Sequence, residues 1–180
     1  MVALIKRMLL AAALLAAATA LGQGERTSEA QIKAAFLYKF GGFIEWPARA
    51  FARADSAFTI GVLGADSVAA DLETLAAGRT VQGRSVAVHK LKRGDSLAGL
   101  QLLFVGQSEA PRLAEVLGAA KGQPLLIVTD TEDALTRGSM INFITVDDKV
   151  RFDVALPPAE RGQLKISGRL LAVARKVITG

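Results

Sequence analysis

The sequence predicts a single α/β domain: a mostly parallel sheet with helices on both faces and a C-terminal β-hairpin plus helix. Three observations predict it. Short apolar runs recur at Phe58–Leu63, Gln101–Val105 and Pro124–Val128, separated by segments of helical spacing. Runs that are apolar at nearly every position suit strands buried on both faces, as in a parallel sheet. Two further strand-like runs, Met140–Val146 and Val150–Leu156, are joined only by Asp147-Asp148-Lys149, which reads as a hairpin.

Residues 1–20 have the layout of a bacterial export signal. Lys6 and Arg7 give a positive start, Met8–Ala18 is uninterruptedly apolar, and Ala18-Thr19-Ala20 is a small-residue cleavage site. The apolar run falls short of the ~20 residues a spanning helix needs, so a cleaved signal peptide is expected rather than an anchor. The expected location is the periplasm. The chain has no cysteine, so lipoprotein processing and disulfides are excluded. Loss of Lys6 and Arg7 with the leader lowers the net charge from +5 to +3. That charge is mild and scattered, and no nucleic-acid partner is expected.

Residues 21–30 read as an N-terminal tail and helix cap, and 31–178 as the domain. Ser28-Glu29-Ala30-Gln31 has the spacing of a capping box. The helix it opens carries Ile32, Phe36, Phe40 and Phe43 or Ile44 at spacings of three and four, and ends before Trp46-Pro47. Gly41-Gly42 costs about 1 kcal/mol per glycine in a helix, which points to close backbone packing or an early bend. The aromatic stripe reads as core; Trp46, at the exit, either packs or lines a pocket or interface.

After Phe58–Leu63, Gly64-Ala65-Asp66-Ser67 turns into a helix through about Ala77. Ser85–Leu91 alternates and reads as a strand. Gly106-Gln107-Ser108 opens a helix through about Ala120, with Ser108 as the expected N-cap and Glu109 in its first turn. Pro157-Pro158 starts a short helical turn that Gly162 weakens. Ser167 caps an expected final helix with Leu170, Leu171, Ala174, Val177 and Ile178 on one face.

Chemistry-bearing residues are few. Ligands in sheets of this kind bind beyond the C-terminal strand ends. The loops expected there place Asp66, Ser108 and Asp130 around a ligand crevice, with Trp46 if it lies nearby. Capping of the following helices explains the same side chains. His89, the sole histidine, reads as a surface strand residue. With no cysteine and one histidine, the usual zinc ligand sets are absent, and no metal or cofactor is expected. Nucleophile-elbow, P-loop and dinucleotide fingerprints are missing. An Asp66–Asp130 phosphoacceptor cluster needs a nearby lysine and a cytoplasmic donor, and the export signal argues against the donor. Arg93-Gly94-Asp95 reads as an incidental loop tripeptide. No enzymatic activity is expected. Ile166, between Lys165 and Ser167, is either buried by its own fold or exposed for a partner; the pattern favours burial.

Two segments, QIKAAFLYKFGGFIEWP and VRFDVALPPAERGQLKISGRLLAVAR, with TIGVLG and INFITVDDKVRF between them, resemble the YfiR family of small periplasmic proteins. The likeness runs from about Gln31 to Ala174. It implies an α/β fold, homodimers and a regulator rather than an enzyme. In the best-characterised member the protein represses a membrane-bound diguanylate cyclase by binding its periplasmic sensor domain. An outer-membrane lipoprotein with a peptidoglycan-binding domain relieves repression by sequestering the repressor. The resemblance places partner binding at Glu160 and Ile166, with Lys165 between them in the same segment, and extends it to Leu164 and Phe152. The characterised relative has disulfides; this chain has none. The alternative reading is a periplasmic small-molecule binding module acting as a sensor.

Overall fold

A computed structural model describes residues 27–180; the expected signal peptide and most of the expected tail lie outside the described residues. The capping box forms as spelled. Ser28 Oγ accepts from the Gln31 amide at 3.1 Å, and Gln31 Oε1 accepts from the Ser28 amide at 2.8 Å. Helix α1 spans Glu29–Phe40 and buries Lys33, Ala34, Leu37 and Phe40. That face is one position off the expected one: Ile32 and Phe36 are only half-buried.

The helix stops at Phe40, tightens into a 3₁₀ turn over Gly41–Phe43, and gives way to a two-residue strand β1, Ile44–Glu45. Gly41 keeps a helical backbone and sits where the helix meets the sheet. A Cβ there would meet the Phe58 ring at 2.9 Å and Val81 at 3.0 Å, so only glycine admits this approach of helix to sheet. Gly42 faces open space.

Strands β2 (Phe58–Leu63), β4 (Arg84–Leu91), β5 (Leu102–Val105), β6 (Leu126–Thr129) and β7 (Ile141–Val146) form a parallel core in the order β4-β2-β5-β6-β7. Helix α2 (Asp66–Ala76) connects β2 towards β4, and α3 (Leu113–Ala120) connects β5 to β6. Because the order reverses at β2, the switch point lies between β2 and β5. The short β3 (Thr80–Val81) pairs antiparallel with β4 at one edge. It has two residues and no alternation for a sequence to display.

The hairpin is present. β7 and β8 (Lys149–Ala155) run antiparallel around Asp147 and Asp148, at φ +48° and +55°. Both turn residues are therefore left-handed, the twist-compatible geometry for a two-residue loop. Helix α5 (Leu156–Arg161) follows, with prolines at its start and Gly162 at its end, and β9 (Lys165–Ile166) comes next.

The expected terminal helix is corrected. Ser167 does cap a helix, accepting from the Arg169 amide, but α6 (Gly168–Leu171) is a single turn. Lys176–Ile178 is instead strand β10, parallel to β8. Beside it, the Arg175 guanidinium makes a two-pronged ion pair with Asp153 of β8, whose side chain is 8% exposed. The segment pairs with β8 despite its helical spacing.

Two cores flank the sheet. The larger contains Leu37, Phe40, Phe58, Phe104, Phe143, Phe152 and Leu164. The smaller contains Leu103, Leu113, Leu125 and Ile127, with α3 and α4 (Ala134–Arg137) on that side. Phe40 stacks on Phe143 at 5.8 Å and meets Phe152 edge-on at 5.1 Å, so the aromatic stripe is core.

Candidate functional site: a clasp of two segments and a strand-end crevice

The two segments that carry the resemblance meet in space. β1 and β9 pair antiparallel, with Ile44 opposite Ile166 and Glu45 opposite Lys165. The Ser167 amide donates to the Phe43 carbonyl at 2.9 Å and extends the clasp. Around it lies a groove of about 400 Å³ lined by Glu45, Trp46, Pro47, Glu160, Gln163 and Lys165. Trp46 is set by two contacts: its indole N–H donates to the Gly41 carbonyl at 3.2 Å and its ring meets Phe58 edge-on at 5.3 Å; nearby, Gln82 Nε2 donates to the Ile44 carbonyl at 2.8 Å. Trp46 is partly exposed and lines the groove.

Of the expected partner residues, Glu160 and Lys165 are exposed and Ile166 is half-buried against the larger core. Phe152 is corrected: at 2% exposure it is a core side chain and presents no contact surface, whereas Leu164, 1% exposed, is a core side chain at the base of the groove it helps to line. Glu45 and Trp46 belong to the groove instead. For Trp46 the sequence left such a role open; for Glu45 it gave no signal, because a two-residue strand pair has no periodicity.

A second cluster sits at the switch point. The crevice is lined by Glu29, Lys33, Gly64, Gly106, Ser108 and Asp130, with the start of α2. Gly64, at φ +72°, is required: a Cβ there would lie 2.5 Å from Ser108 Oγ. Ser108 is not an N-cap, since its hydroxyl donates across the strand ends to the Gly64 carbonyl at 2.8 Å, and residues 107–112 form a 3₁₀ helix before α3. Glu109 is buried and pairs with Arg93 at 3.0 Å, which gives the Arg93 side chain a structural role.

Asp130 is placed by a buried hydroxyl–amide network. Thr129 Oγ1 donates to Asn142 Oδ1 at 2.6 Å, and the same oxygen accepts from the Thr131 amide at 3.1 Å. Asp130 Oδ2 then accepts from Lys33 Nζ at 2.6 Å, and Glu29 lies 2.6 Å from the same ammonium. Burial alone would lower the lysine, but its hydrogen bonds and charge attraction to Asp130 and Glu29 outweigh that and hold it above its ordinary value. Asp130 Oδ1 is buried and has no hydrogen-bond partner among the described residues.

The structure thus brings Ser108 and Asp130 together and adds Lys33. Asp66 pairs with Lys90 at 2.7 Å on the surface, and Trp46 lies with the clasp, so neither lines the crevice. Lys33 was missed because a lysine on a surface helix reads as solvated; its only sequence signal is the four-residue spacing from Glu29. Among the described residues no group of three or more His, Cys, Asp or Glu side chains is placed to hold a metal ion, and no helix is long and apolar enough to cross a membrane.

No curated protein matches the chain. A family model described as DUF4154, YfiR/HmsC-like, matches residues 30–175, from the first turn of α1 to the arginine that anchors β10. With the match covering nearly all of the described fold, the chain belongs to the YfiR/HmsC-like family.

Proposed function

We propose that the protein is a periplasmic regulator that represses an inner-membrane signalling protein, a diguanylate cyclase, by binding its periplasmic sensor domain through the β1–β9 clasp. The observation that carries this reading is the meeting of Glu45-Trp46 with Glu160 and Lys165-Ile166, from opposite ends of the domain, on one surface. A half-buried tryptophan ringed by charge is the composition of an interface hot spot. Repression is then a population shift: the protein binds the inactive receptor conformation more tightly than the active one. An outer-membrane peptidoglycan-binding lipoprotein that covers the same groove relieves repression by competition, and a homodimer presents two grooves.

The test is an in-cell photocrosslink from Lys165, with Arg112, beside the smaller core, as control. Capture of an inner-membrane protein with a cytoplasmic cyclase domain from Lys165 only supports the reading. Capture of nothing but a second copy from Lys165 rejects it.

A second reading, a periplasmic small-molecule sensor, is favoured by the unpaired Asp130 Oδ1 beside Lys33 in the switch-point crevice. A melting temperature that rises with one polar metabolite and is indifferent to it in Asp130→Asn supports this reading. Flat melting across a metabolite panel counts against it.

A further inference from the structure

A cavity lies at the opposite end of the sheet from the crevice. It measures about 550 Å³, within the range of small-molecule sites. It opens where β6 and β7 begin, between the C-terminal ends of α3, α4 and α5. Its floor is aliphatic: Leu117, Leu125, Ile127 and Met140. Its rim carries three exposed cations, Lys121, Arg137 and Arg161. No acidic side chain lines it, and none of the three rim cations has a carboxylate partner among the described residues.

We propose that this cavity binds an aliphatic carboxylate, its chain on the apolar floor and its head group at the cationic rim. The two halves of the argument are independent. The floor has no aromatic ring on which a base or an indole would stack, so it selects a flexible hydrocarbon by dispersion and water exclusion. The rim selects charge. Basic residues at helix ends offset the partial negative charge of terminal carbonyls, about half a charge per helix and less for one-turn helices. Three full positive charges therefore leave a net positive opening. Arginine presents a planar fork that fits a carboxylate with two hydrogen bonds. The same α5 that contributes Arg161 to the rim contributes Glu160 to the groove on its other side.

The site is independent of the partner reading and is tested on the protein alone. Of the three methionines, Met1 and Met8 belong to the apolar leader, and Met140 is on the cavity floor. A ¹³C-methyl-methionine spectrum titrated with decanoate is expected to show a saturable shift of the Met140 methyl. Decanol, the neutral counterpart, is expected to bind at least tenfold more weakly. The double variant Lys121→Gln/Arg161→Gln, both exposed and, unlike Arg137, which donates to the Ala110 carbonyl, without a side-chain hydrogen bond among the described residues, is expected to lose at least tenfold in decanoate affinity with its melting temperature intact, and Arg112→Gln none. Absence of a saturable shift overturns the site. Equal affinity for decanol, or undiminished affinity in the double variant, overturns the anion requirement.

Discussion

Glu45 and Lys165, 120 residues apart in the chain, face each other across a two-residue antiparallel ladder with a 3.2 Å ion pair, their side chains 75% and 81% exposed. A pair so open to water contributes at most about 1 kcal/mol. Its placement in the groove matters more than its energy. Lys165→Glu sets two carboxylates opposite each other and is expected to lower the melting temperature by no more than about 4 °C. Partner affinity is expected to fall at least about tenfold. The double exchange Glu45→Lys/Lys165→Glu restores the melting temperature and not the binding, as calorimetry and a binding titration will show.

Glu160 and Ile166 separate binding from folding. Glu160 is exposed, so Glu160→Lys is expected to change stability by no more than about 0.5 kcal/mol. It is expected to weaken the partner by about 30-fold if Glu160 is an anchor. Ile166 packs on the larger core, so Ile166→Asp costs about 1–2 kcal/mol of stability as well as binding. Urea titrations of both variants decide this; a Glu160→Lys protein that unfolds early moves Glu160 out of the interface.

Phe152 and Leu164 are expected to affect regulation only through folding. Phe152 packs edge-on against Phe36 at 5.5 Å and Phe40 at 5.1 Å. Phe152→Ala is expected to cost about 3–5 kcal/mol and Leu164→Ala about 2–4. Surviving folded protein should bind the partner with unaltered affinity, measurable by titrating at low temperature.

Gly41 and Gly42 are expected to respond oppositely to alanine. At Gly41 the added Cβ strikes Phe58 and Val81, with an expected cost of about 1–3 kcal/mol. At Gly42 it meets nothing within 4 Å, and the stiffer unfolded chain yields a gain of up to about 1 kcal/mol. Thermal melts of the two single variants test both signs.

Lys33 gives an alkaline signature. A raised ammonium means the folded state holds the proton more tightly than the unfolded chain. Its contribution is therefore complete below the ordinary lysine value of about 10.4 and is lost as pH climbs through the folded value. Lys33→Gln leaves Asp130 without its cation and is expected to cost about 3 kcal/mol. That deficit should be constant from about pH 7 to 10 and shrink above. A deficit that grows above pH 10 contradicts the sign.

What the sequence displayed was whatever repeats along it. Phe58–Leu63 reads as β2 residue for residue, and the capping box at Ser28 and the hairpin around Asp147-Asp148 were equally plain. Three kinds of feature were hidden. The strands β1, β3, β9 and β10 are two or three residues long, too short to show alternation, and β1, β9 and β10 pair with partners distant in the chain. The last of these also carries helical spacing, yet it pairs with β8 beside the ion pair of half-exposed Arg175 with buried Asp153. Ser108 has the position of a cap but is drawn off by the Gly64 carbonyl. At the groove, Glu160, Lys165 and Ile166 were legible through likeness alone, and Glu45 and Trp46 joined them only in three dimensions.

The clasp between β1 and β9 also has a consequence in time. It closes a loop of about 120 residues, and the chain entropy lost in doing so is recovered only after the intervening sheet has assembled. The groove is thus among the last surfaces to form, and φ-values near zero are expected at Ile44 and Ile166 in refolding experiments. A nascent or partly degraded copy has no groove to offer, so under the proposed function a partner is expected to engage only the finished protein: the recognition surface would double as a certificate of complete folding.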